Sequence, residues 1–331
     1  MAPASRGVLD PDRPQRGAVG EFGDALQRAR KELARTPRRQ DALEPEGQAS
    51  FEEGFDSAAA EDAAGELAPW LLAPPRLEPS SDTLPPHGGP GVKIPLRRDR
   101  KGRWRSRSVL VDQGGPLADS FRKIAVRLRA ELERRSARSV AIVSPLRGEG
   151  KTTLACNLAL ALASLSRGRE IALVDLDLRA PSVADALGVR GPVGIESVLE
   201  GAADLEKICV SIEKPRLDVY PARESCEAAH ELLVLASAER LIRELERRYA
   251  VVVFDTPPVL LLPDAALILR HVSAYAAVAR AGASRVGAVR SMLDQLPAAK
   301  LVGGVLNAGA LPRHASLYGY YATPRHGPKR E

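Results

Sequence analysis

The sequence has few cysteines, and their spacing excludes two kinds of small, cross-linked protein. Cys156, Cys209 and Cys226 are the only three in 331 residues, and no C-x-x-C pair or nearby histidine cluster accompanies them. This spacing argues against a disulfide scaffold and against a structural zinc site. We interpret all three as packing residues of a protein in a reducing compartment.

A long apolar run and a signal peptide are also missing. Val251 to Pro263 is among the longest apolar stretches, and Asp255 interrupts it, whereas a membrane helix needs roughly 18 apolar residues. Arg6 and Asp10 lie where a secretory signal would need its apolar segment. We therefore expect a cytoplasmic protein without a membrane span.

Aromatic residues are scarce, and the charge is unevenly distributed. Aromatic side chains make up 4% of the chain, and the formal net charge is +6. Residues 1–92 carry 10 basic and 16 acidic side chains, whereas residues 93–108 carry 8 basic side chains against Asp99 alone. A nucleic-acid-binding protein would spread its basic residues over a folded face and interleave aromatic ones. We therefore expect no nucleic-acid partner.

The composition divides the chain into three parts. Thirteen of the 26 prolines fall in the first 110 residues, where apolar periodicity is largely absent, and this composition is typical of disorder. We predict a disordered N-terminal region over residues 1–108, with a basic linker at residues 93–108. A folded domain would follow over residues 109–310, and a flexible tail over residues 311–331.

Apolar segments alternate with helical patterns from Leu117 onwards. The predicted strands are Ser139 to Val143, Glu170 to Val174, Leu217 to Tyr220, Val251 to Phe254, Ala274 to Ala279 and Leu301 to Leu306. The predicted helices are Leu117 to Arg135, Thr152 to Leu165, Ala228 to Arg248 and Arg285 to Gln295, with shorter ones near Ser182 and Asp264. Such alternation predicts a doubly wound α/β domain with a mostly parallel sheet, whose ligands bind at the carboxyl ends of the strands.

The strongest motif follows the first predicted strand, in a segment that we call the P-loop (residues 144–153). It reads Ser-Pro-Leu-Arg-Gly-Glu-Gly-Lys-Thr-Thr and leads into an apolar helix. Gly148 and Gly150 let the backbone wrap a phosphate, Lys151 brings positive charge to the β- and γ-phosphates, and the Thr152 hydroxyl suits Mg²⁺. Pro145 stands where the usual pattern has glycine. A glycine turn that caps a helix is the alternative interpretation.

Three acidic residues follow apolar strands. Asp175 and Asp177 alternate at the end of the second predicted strand, and Asp255 ends a later one. The carboxyl ends of parallel strands meet at one edge of a sheet, and buried acids there need a cation. Each acid alone could cap a helix or begin a turn. Together they indicate a Mg²⁺ site beside the P-loop.

These motifs resemble those of the bacterial tyrosine kinases, the autokinases of capsular and exopolysaccharide synthesis. The resemblance runs from about Leu117 to Tyr321. Residues 143–153 resemble the family's Walker A motif, residues 171–181 its Walker A′ motif and residues 251–260 its Walker B motif. The resemblance implies a P-loop NTPase fold and a protein-tyrosine kinase that uses ATP and Mg²⁺.

The resemblance also implies how the nucleotide and the metal are held. The residues implied in ATP binding are Gly148, Glu149, Gly150, Lys151, Thr152, Thr153 and, on the adenine side, Asn307. Thr152, Asp175 and Asp255 would order Mg²⁺.

Catalytic roles follow from the same resemblance. Lys151 and Asp255 would act through the phosphates and the metal, and Asp175 is the general-base candidate. Asp177 would align the metal or the incoming tyrosine hydroxyl, and Arg179 would steady the transferring phosphate. Such transfer is mostly positioning and charge neutralisation.

The tail carries the implied phosphate acceptors. Tyr318, Tyr320 and Tyr321 are three of the six tyrosines, and they lie in a Gly-rich, basic terminus without a core pattern, where burial does not explain them. The family's autophosphorylated cluster occupies this place, although a disordered aromatic tail is the alternative. Residues 308–331 carry a net charge of +3, which three phosphates of about −1.5 to −2 each would reverse. We expect the unmodified tail to enter a neighbouring subunit's site and the modified tail to leave it.

Partners are implied as well. The resemblance implies a separate transmembrane polysaccharide co-polymerase as activator, a homo-oligomer, and recruitment to the inner face of the plasma membrane. The basic linker at residues 93–108 would either contact anionic lipid, at about 1 kcal/mol per basic residue, or remain a solvated linker. The family's E-x-x-R-x-x-R subunit-contact motif reads Asp119, Arg122 and Ala125 here, with Arg127 or Arg129 as nearby substitutes for the last arginine.

Two other functions remain open. A positioning ATPase of the MinD or ParA type would carry a signature lysine five residues before Lys151, where this chain has Leu146, and that class has no tyrosine tail. An ATP-binding scaffold of the polysaccharide assembly machinery would form no tyrosine phosphate.

Overall fold

A computed structural model describes residues 115–309, except residues 167 and 169. Its strands are β1 (Ser139–Val143), β2 (Ile171–Asp175), β3 (Val210–Ile212), β4 (Leu217–Tyr220), β5 (Val251–Asp255), β6 (Ala274–Arg280) and β7 (Leu301–Asn307). Its α-helices are α1 (Gly115–Arg134), α2 (Lys151–Leu165), α3 (Val183–Leu187), α4 (Ile195–Leu199), α5 (Leu205–Ile208), α6 (Ala229–Val234), α7 (Ala236–Arg248), α8 (Asp264–His271) and α9 (Val286–Gln295). None of these helices is both long and apolar enough to cross a membrane.

The seven strands form one sheet in the order β3-β4-β2-β5-β1-β6-β7. Every pairing is parallel except that of β3 with β4. The strands are rich in valine, isoleucine and alanine because helices cover both faces of the sheet. This arrangement confirms the predicted doubly wound α/β fold.

The two faces of the sheet hold separate halves of the core. Along β5, Val252 and Phe254 pack on one face with α7, α8 and α9. Val251 and Val253 pack on the other face with α1 and α2. This alternation follows from the period of two in a strand, and it accounts for the apolar character of the whole β5 segment.

Four elements differ from the sequence prediction. The predicted helix over residues 228–248 is two helices, because Leu235 adopts an extended backbone (φ −64°, ψ 151°) between α6 and α7. The edge strand β3 and the helices α4 and α5 span only three to five residues each, too few for a periodic pattern to indicate them. The predicted N-terminal region, basic linker and tyrosine tail lie outside the described residues.

Strand register brings the motif residues to one edge of the sheet. In the pairing of β2 with β5, Asp175 lies directly opposite Asp255. In the pairing of β5 with β1, Asp255 lies opposite Ile142, two residues before the P-loop. The P-loop and both strand-end acids therefore share the carboxyl edge, where doubly wound folds bind their ligands.

Candidate active site

The P-loop turns into α2 through two glycines in the left-handed region. Gly148 has φ 76° and Gly150 has φ 97°, conformations that other residues rarely adopt. Gly150 also faces a neighbour at close range, because an added Cβ would lie 2.0 Å from Asn307 Nδ2. Asn307 Nδ2 in turn donates to the Glu149 carbonyl at 3.0 Å. The end of β7 therefore holds the P-loop backbone directly.

The side chain of Glu149 forms a second attachment of the P-loop. This buried carboxylate accepts from the Leu146 amide at 3.0 Å and from the Ser284 hydroxyl. Arg280, at the end of β6, donates to the Gly148 carbonyl at 3.2 Å. Sequence reasoning missed Ser284 and Arg280, because neither belongs to a recognisable motif.

Lys151 is the first residue of α2, and its side chain is mostly buried. Burial lowers the pKa of Lys151, while Asp255 and Asp177 oppose that change. Among the described residues, no carboxylate lies within 4.0 Å of its ammonium group. The ammonium group is therefore available to an anionic ligand at the helix N-terminus, where backbone N–H groups also favour negative charge.

Thr152 and Asp255 are in direct contact next to the P-loop. The Thr152 hydroxyl donates to Asp255 Oδ2 at 2.5 Å and lies 2.9 Å from the Ser182 hydroxyl. Asp255 is fully buried, and its Oδ1 has no hydrogen-bond partner among the described residues. Burial raises the pKa of Asp255 to about 7. A buried carboxylate oxygen without a partner is costly unless a cation or donor meets it.

Both carboxylate oxygens of Asp175 accept hydrogen bonds from backbone amides. Oδ2 accepts from Ser182 and Val183, each at 3.0 Å, and Oδ1 accepts from Asp177 at 3.2 Å. It is fully buried, and burial, together with the neighbouring Asp255, raises its pKa well above the usual range. Asp175 therefore caps α3 in addition to lying beside Asp255.

Asp177 lies farther out in the segment that we call the acidic loop (residues 176–182). Its Oδ1 accepts from the Ala180 amide at 3.2 Å. The residue is 8% exposed, against 0% for Asp175. Burial raises the pKa of Asp177, although the charge of Lys151 opposes that change. The Asp177 carboxylate is therefore buried but slightly more accessible than that of Asp175, and the charge of Lys151 acts on it.

The donor set fits Mg²⁺. The Asp255 Oδ1 atom without a partner and the Thr152 hydroxyl beside the same carboxylate are hard oxygen donors of the kind this ion prefers. The described part of the chain contains no group of three or more His, Cys, Asp or Glu side chains suited to a metal. An ion here would therefore take few protein ligands, as Mg²⁺ does when phosphates complete its coordination.

Arg179 lies in the acidic loop, but its guanidinium group contacts residues on other elements. Nε pairs with Asp264 Oδ2 at 2.7 Å, and Nη1 donates to the Glu227 carbonyl at 2.8 Å. Nη2 lies 3.4 Å from His230 Nδ1. The sequence predicts only a short helix near Asp264, and nothing in the pattern predicts the pairing of Asp264 with Arg179.

The predicted site residues thus fall into three groups. The structure brings Lys151, Thr152, Asp175, Asp177, Asp255 and Asn307 together at the carboxyl edge of the sheet, with Gly148, Glu149, Gly150 and Thr153 in the loop and first turn between them. Arg179 is engaged with Asp264. The three tail tyrosines lie outside the described residues.

The positions that correspond to the family's subunit-contact motif lie on α1. Ala125 is completely buried, so this position faces the core and cannot form a subunit contact. Arg122 pairs with Asp119 at 2.8 Å, and Arg129 pairs with Glu133 at 3.0 Å. Of the two nearby substitutes, Arg127 is exposed, and it borders a cavity of about 500 Å³ beside β7.

Comparison with known proteins gives consistent matches. The AAA domain family matches residues 137–272. Tyrosine-protein kinase YwqD of Bacillus subtilis is 30% identical over 231 residues, which cover 69% of this chain and 96% of that protein. Tyrosine-protein kinase CpsD of Streptococcus agalactiae is 29% identical over 200 residues, which cover 60% of this chain and 86% of that protein.

A solved structure agrees with these relatives. The kinase domain of VpsO superposes with a TM-score of 0.52 at 29% identity, over 59% of this chain and 100% of that domain. The match to YwqD extends over nearly the whole of that protein. Together with the P-loop and the strand-end acids, these matches establish that the chain is a protein-tyrosine kinase and belongs to the bacterial tyrosine kinase family.

Proposed function

We propose that this kinase uses ATP and Mg²⁺ to phosphorylate Tyr318, Tyr320 and Tyr321 of its own tail, and thereby regulates capsular or exopolysaccharide polymerisation and export. The observation that carries the nucleotide part of the proposal is the buried Asp255 carboxylate. Its Oδ2 accepts from the Thr152 hydroxyl at 2.5 Å, and its Oδ1 has no partner among the described residues. The tail part rests on the tyrosine cluster in the sequence.

The phosphates of ATP would lie on the P-loop. The backbone N–H groups of residues 148–153 and the Lys151 ammonium group would bind them at the N-terminus of α2. Thr152 and Asp255 would hold Mg²⁺, with Asp175 next to them in the strand register. When bound, the ion would neutralise developing charge on the transferring phosphoryl group. Asn307 would border the adenine side.

The acceptor hydroxyl would approach from the acidic loop. Asp175 is the general-base candidate from the resemblance, and its buried carboxylate is oriented by three amide donors. Asp177 is the more exposed of the two acids and lies near Lys151, so it would orient the tyrosine hydroxyl. Positioning of this kind supplies most of the catalysis in phosphoryl transfer.

The length of the tail permits this reaction. β7 ends at Asn307, beside the P-loop. The three tyrosines lie 9 to 12 positions after Gly309, and an extended chain of that length spans at most about 30–43 Å. We propose that the tail of one subunit enters the site of a neighbour in a homo-oligomer, and that phosphorylation expels it.

A membrane partner would switch the kinase on. We propose a transmembrane polysaccharide co-polymerase as activator, with the basic linker at residues 93–108 against anionic lipid beside it. Neutralising Arg97, Arg98, Arg100 and Arg103 should reduce binding to vesicles that contain anionic lipid and leave the ATP KM unchanged. Unchanged vesicle binding would remove lipid contact from the proposal.

Phosphotyrosine mapping by mass spectrometry tests the central proposal. The purified full chain is incubated with ATP and Mg²⁺, with and without the activator's cytoplasmic segment, beside Lys151→Met. Phosphate on Tyr318, Tyr320 or Tyr321 that disappears in the variant is the expected result. ATP hydrolysis without tyrosine phosphate under either condition would instead favour a positioning ATPase, and neither activity would favour an ATP-binding scaffold.

Oligomer size gives a second test of the tail. Light scattering on the unmodified and the fully phosphorylated chain should show a smaller assembly after phosphorylation, because the tail reverses its charge. Equal sizes in the two states would contradict expulsion of the tail while leaving the kinase assignment intact.

A further inference from the structure

The acidic loop is attached to the rest of the domain near its middle by a compact set of contacts. The Arg179 guanidinium group pairs with Asp264 and donates to the Glu227 carbonyl. The Arg179 carbonyl accepts from the Ser225 hydroxyl at 2.7 Å, and the Leu178 carbonyl accepts from the Cys226 amide at 2.8 Å. Three separate segments therefore meet at Arg179.

The pairing with Asp264 is the buried part of this set. The side chain of Asp264 is 1% exposed and that of Arg179 is 24% exposed. Asp264 begins α8, where the helix dipole favours a negative charge. Its Oδ1 is buried without a hydrogen-bond partner among the described residues, so Arg179 is the cation that compensates the carboxylate. Removing one member of such a pair leaves the other uncompensated.

We propose that Arg179 and Asp264 form a latch that positions the acidic loop, and that Arg179 acts through this latch and does not contact the transferring phosphate. The guanidinium donors are directed at Asp264, the Glu227 carbonyl and His230. Two residues earlier, Asp177 depends on the same loop for its orientation through its bond to the Ala180 amide. The latch therefore fixes the acid that faces the acceptor hydroxyl.

This role predicts a characteristic change in kinetics. Asp264→Asn keeps the shape of the side chain and removes its charge, and Arg179→Lys keeps the charge and removes the forked geometry. Each should lower the maximal rate of tail phosphorylation about tenfold and change the ATP KM by less than about twofold, because the P-loop contacts remain. The double variant should be no slower than the slower single variant, because each single substitution already breaks the same ion pair.

The alternative role for Arg179 gives a different result. If Arg179 contacts the transferring phosphate, Arg179→Lys will lower the rate far more than Asp264→Asn, and the two losses will multiply in the double variant. Either observation would overturn the proposal. The control is the exposed pair of Arg243 and Glu239, 2.6 Å apart on α7, for which Arg243→Lys and Glu239→Gln should leave both constants unchanged.

The kinetic test of the latch rests on the proposed function, because it measures tail phosphorylation. A second measurement, which does not need tail phosphorylation, tests the latch separately. Hydrogen exchange measured by mass spectrometry on the full chain should show faster exchange over residues 176–182 in Asp264→Asn, with the P-loop unchanged. If the wild-type chain forms no phosphotyrosine, the proposed function fails, and the latch is then judged by this exchange and by the rate of ATP hydrolysis. Unchanged exchange over residues 176–182 would contradict the latch.

Discussion

The P-loop and the acidic loop meet at the same edge of the sheet, but the structure holds them in different ways. The P-loop is attached to β6 and β7 through Arg280, Ser284 and Asn307. These contacts use the Glu149 side chain and loop carbonyls. They leave the backbone N–H groups of residues 148–153 and the Lys151 ammonium group for a ligand.

The acidic loop is attached through charged groups at the end of β2 and within the loop itself. Asp175 uses both oxygens on amides, and Arg179 is bound to Asp264. The attachment therefore involves two charged side chains at this end of the sheet, whereas Asp255 Oδ1 has no hydrogen-bond partner among the described residues. We infer that the P-loop contacts control nucleotide binding, whereas the acidic-loop contacts control turnover.

Lys151→Met should produce the largest effect. The variant removes the positive charge that faces the phosphates, and loss of one such electrostatic group costs about 100-fold to 1,000-fold in rate. Autophosphorylation measured by anti-phosphotyrosine blot should be lost, while the melting temperature should not fall, because the lysine is a buried charge without an ion pair among the described residues. Retained activity would show that the P-loop is not the phosphate site.

Asp255→Asn should lower the rate less, by about 100-fold, and change the response to pH and Mg²⁺. Burial raises the pKa of Asp255 to about 7 in the folded chain, so the folded state binds this proton more tightly than the unfolded state does. Stability without ligand should therefore fall as pH rises from about 4 to about 7.

Thermal unfolding without nucleotide or metal tests whether stability falls as pH rises. Asp255→Asn should melt about 3 °C or more above wild type at pH 8 and show no such gain at pH 4. Addition of ATP and Mg²⁺ at pH 8 should stabilise wild type more than the variant, since ligand binding to the folded state adds stability. A variant that melts below wild type at pH 8 without ligand would contradict the assigned burial penalty.

Much of the fold and of the candidate site can be predicted from the sequence, for identifiable reasons. The strands, the P-loop and the three acids are recognisable because each combines apolar periodicity with a local motif. Asp264 and Ser284 are 85 and 135 residues from their partners Arg179 and Glu149, so only the folded sheet brings them together. The division of the predicted helix at Leu235 is not visible in the sequence, because apolar periodicity continues across it.

Ser284→Ala should have the smallest effect and should change ATP binding alone. The variant removes the hydroxyl that contacts the buried Glu149 carboxylate, so the ATP KM should rise about threefold to tenfold with the maximal rate unchanged, equivalent to about 0.7–1.4 kcal/mol. Ser284→Thr, which retains the hydroxyl, should restore the KM. The control is Ser291→Ala on α9, where the serine is exposed.

The most direct measurement is an ATP concentration series of tail phosphotyrosine formation for the full chain, Ser284→Ala and Asp264→Asn. The division of roles predicts that Ser284→Ala raises the KM and keeps the maximal rate, whereas Asp264→Asn lowers the maximal rate and keeps the KM. If both variants change the same constant, the two attachments do not have separate roles, and the assignment of nucleotide binding to one loop and turnover to the other is contradicted.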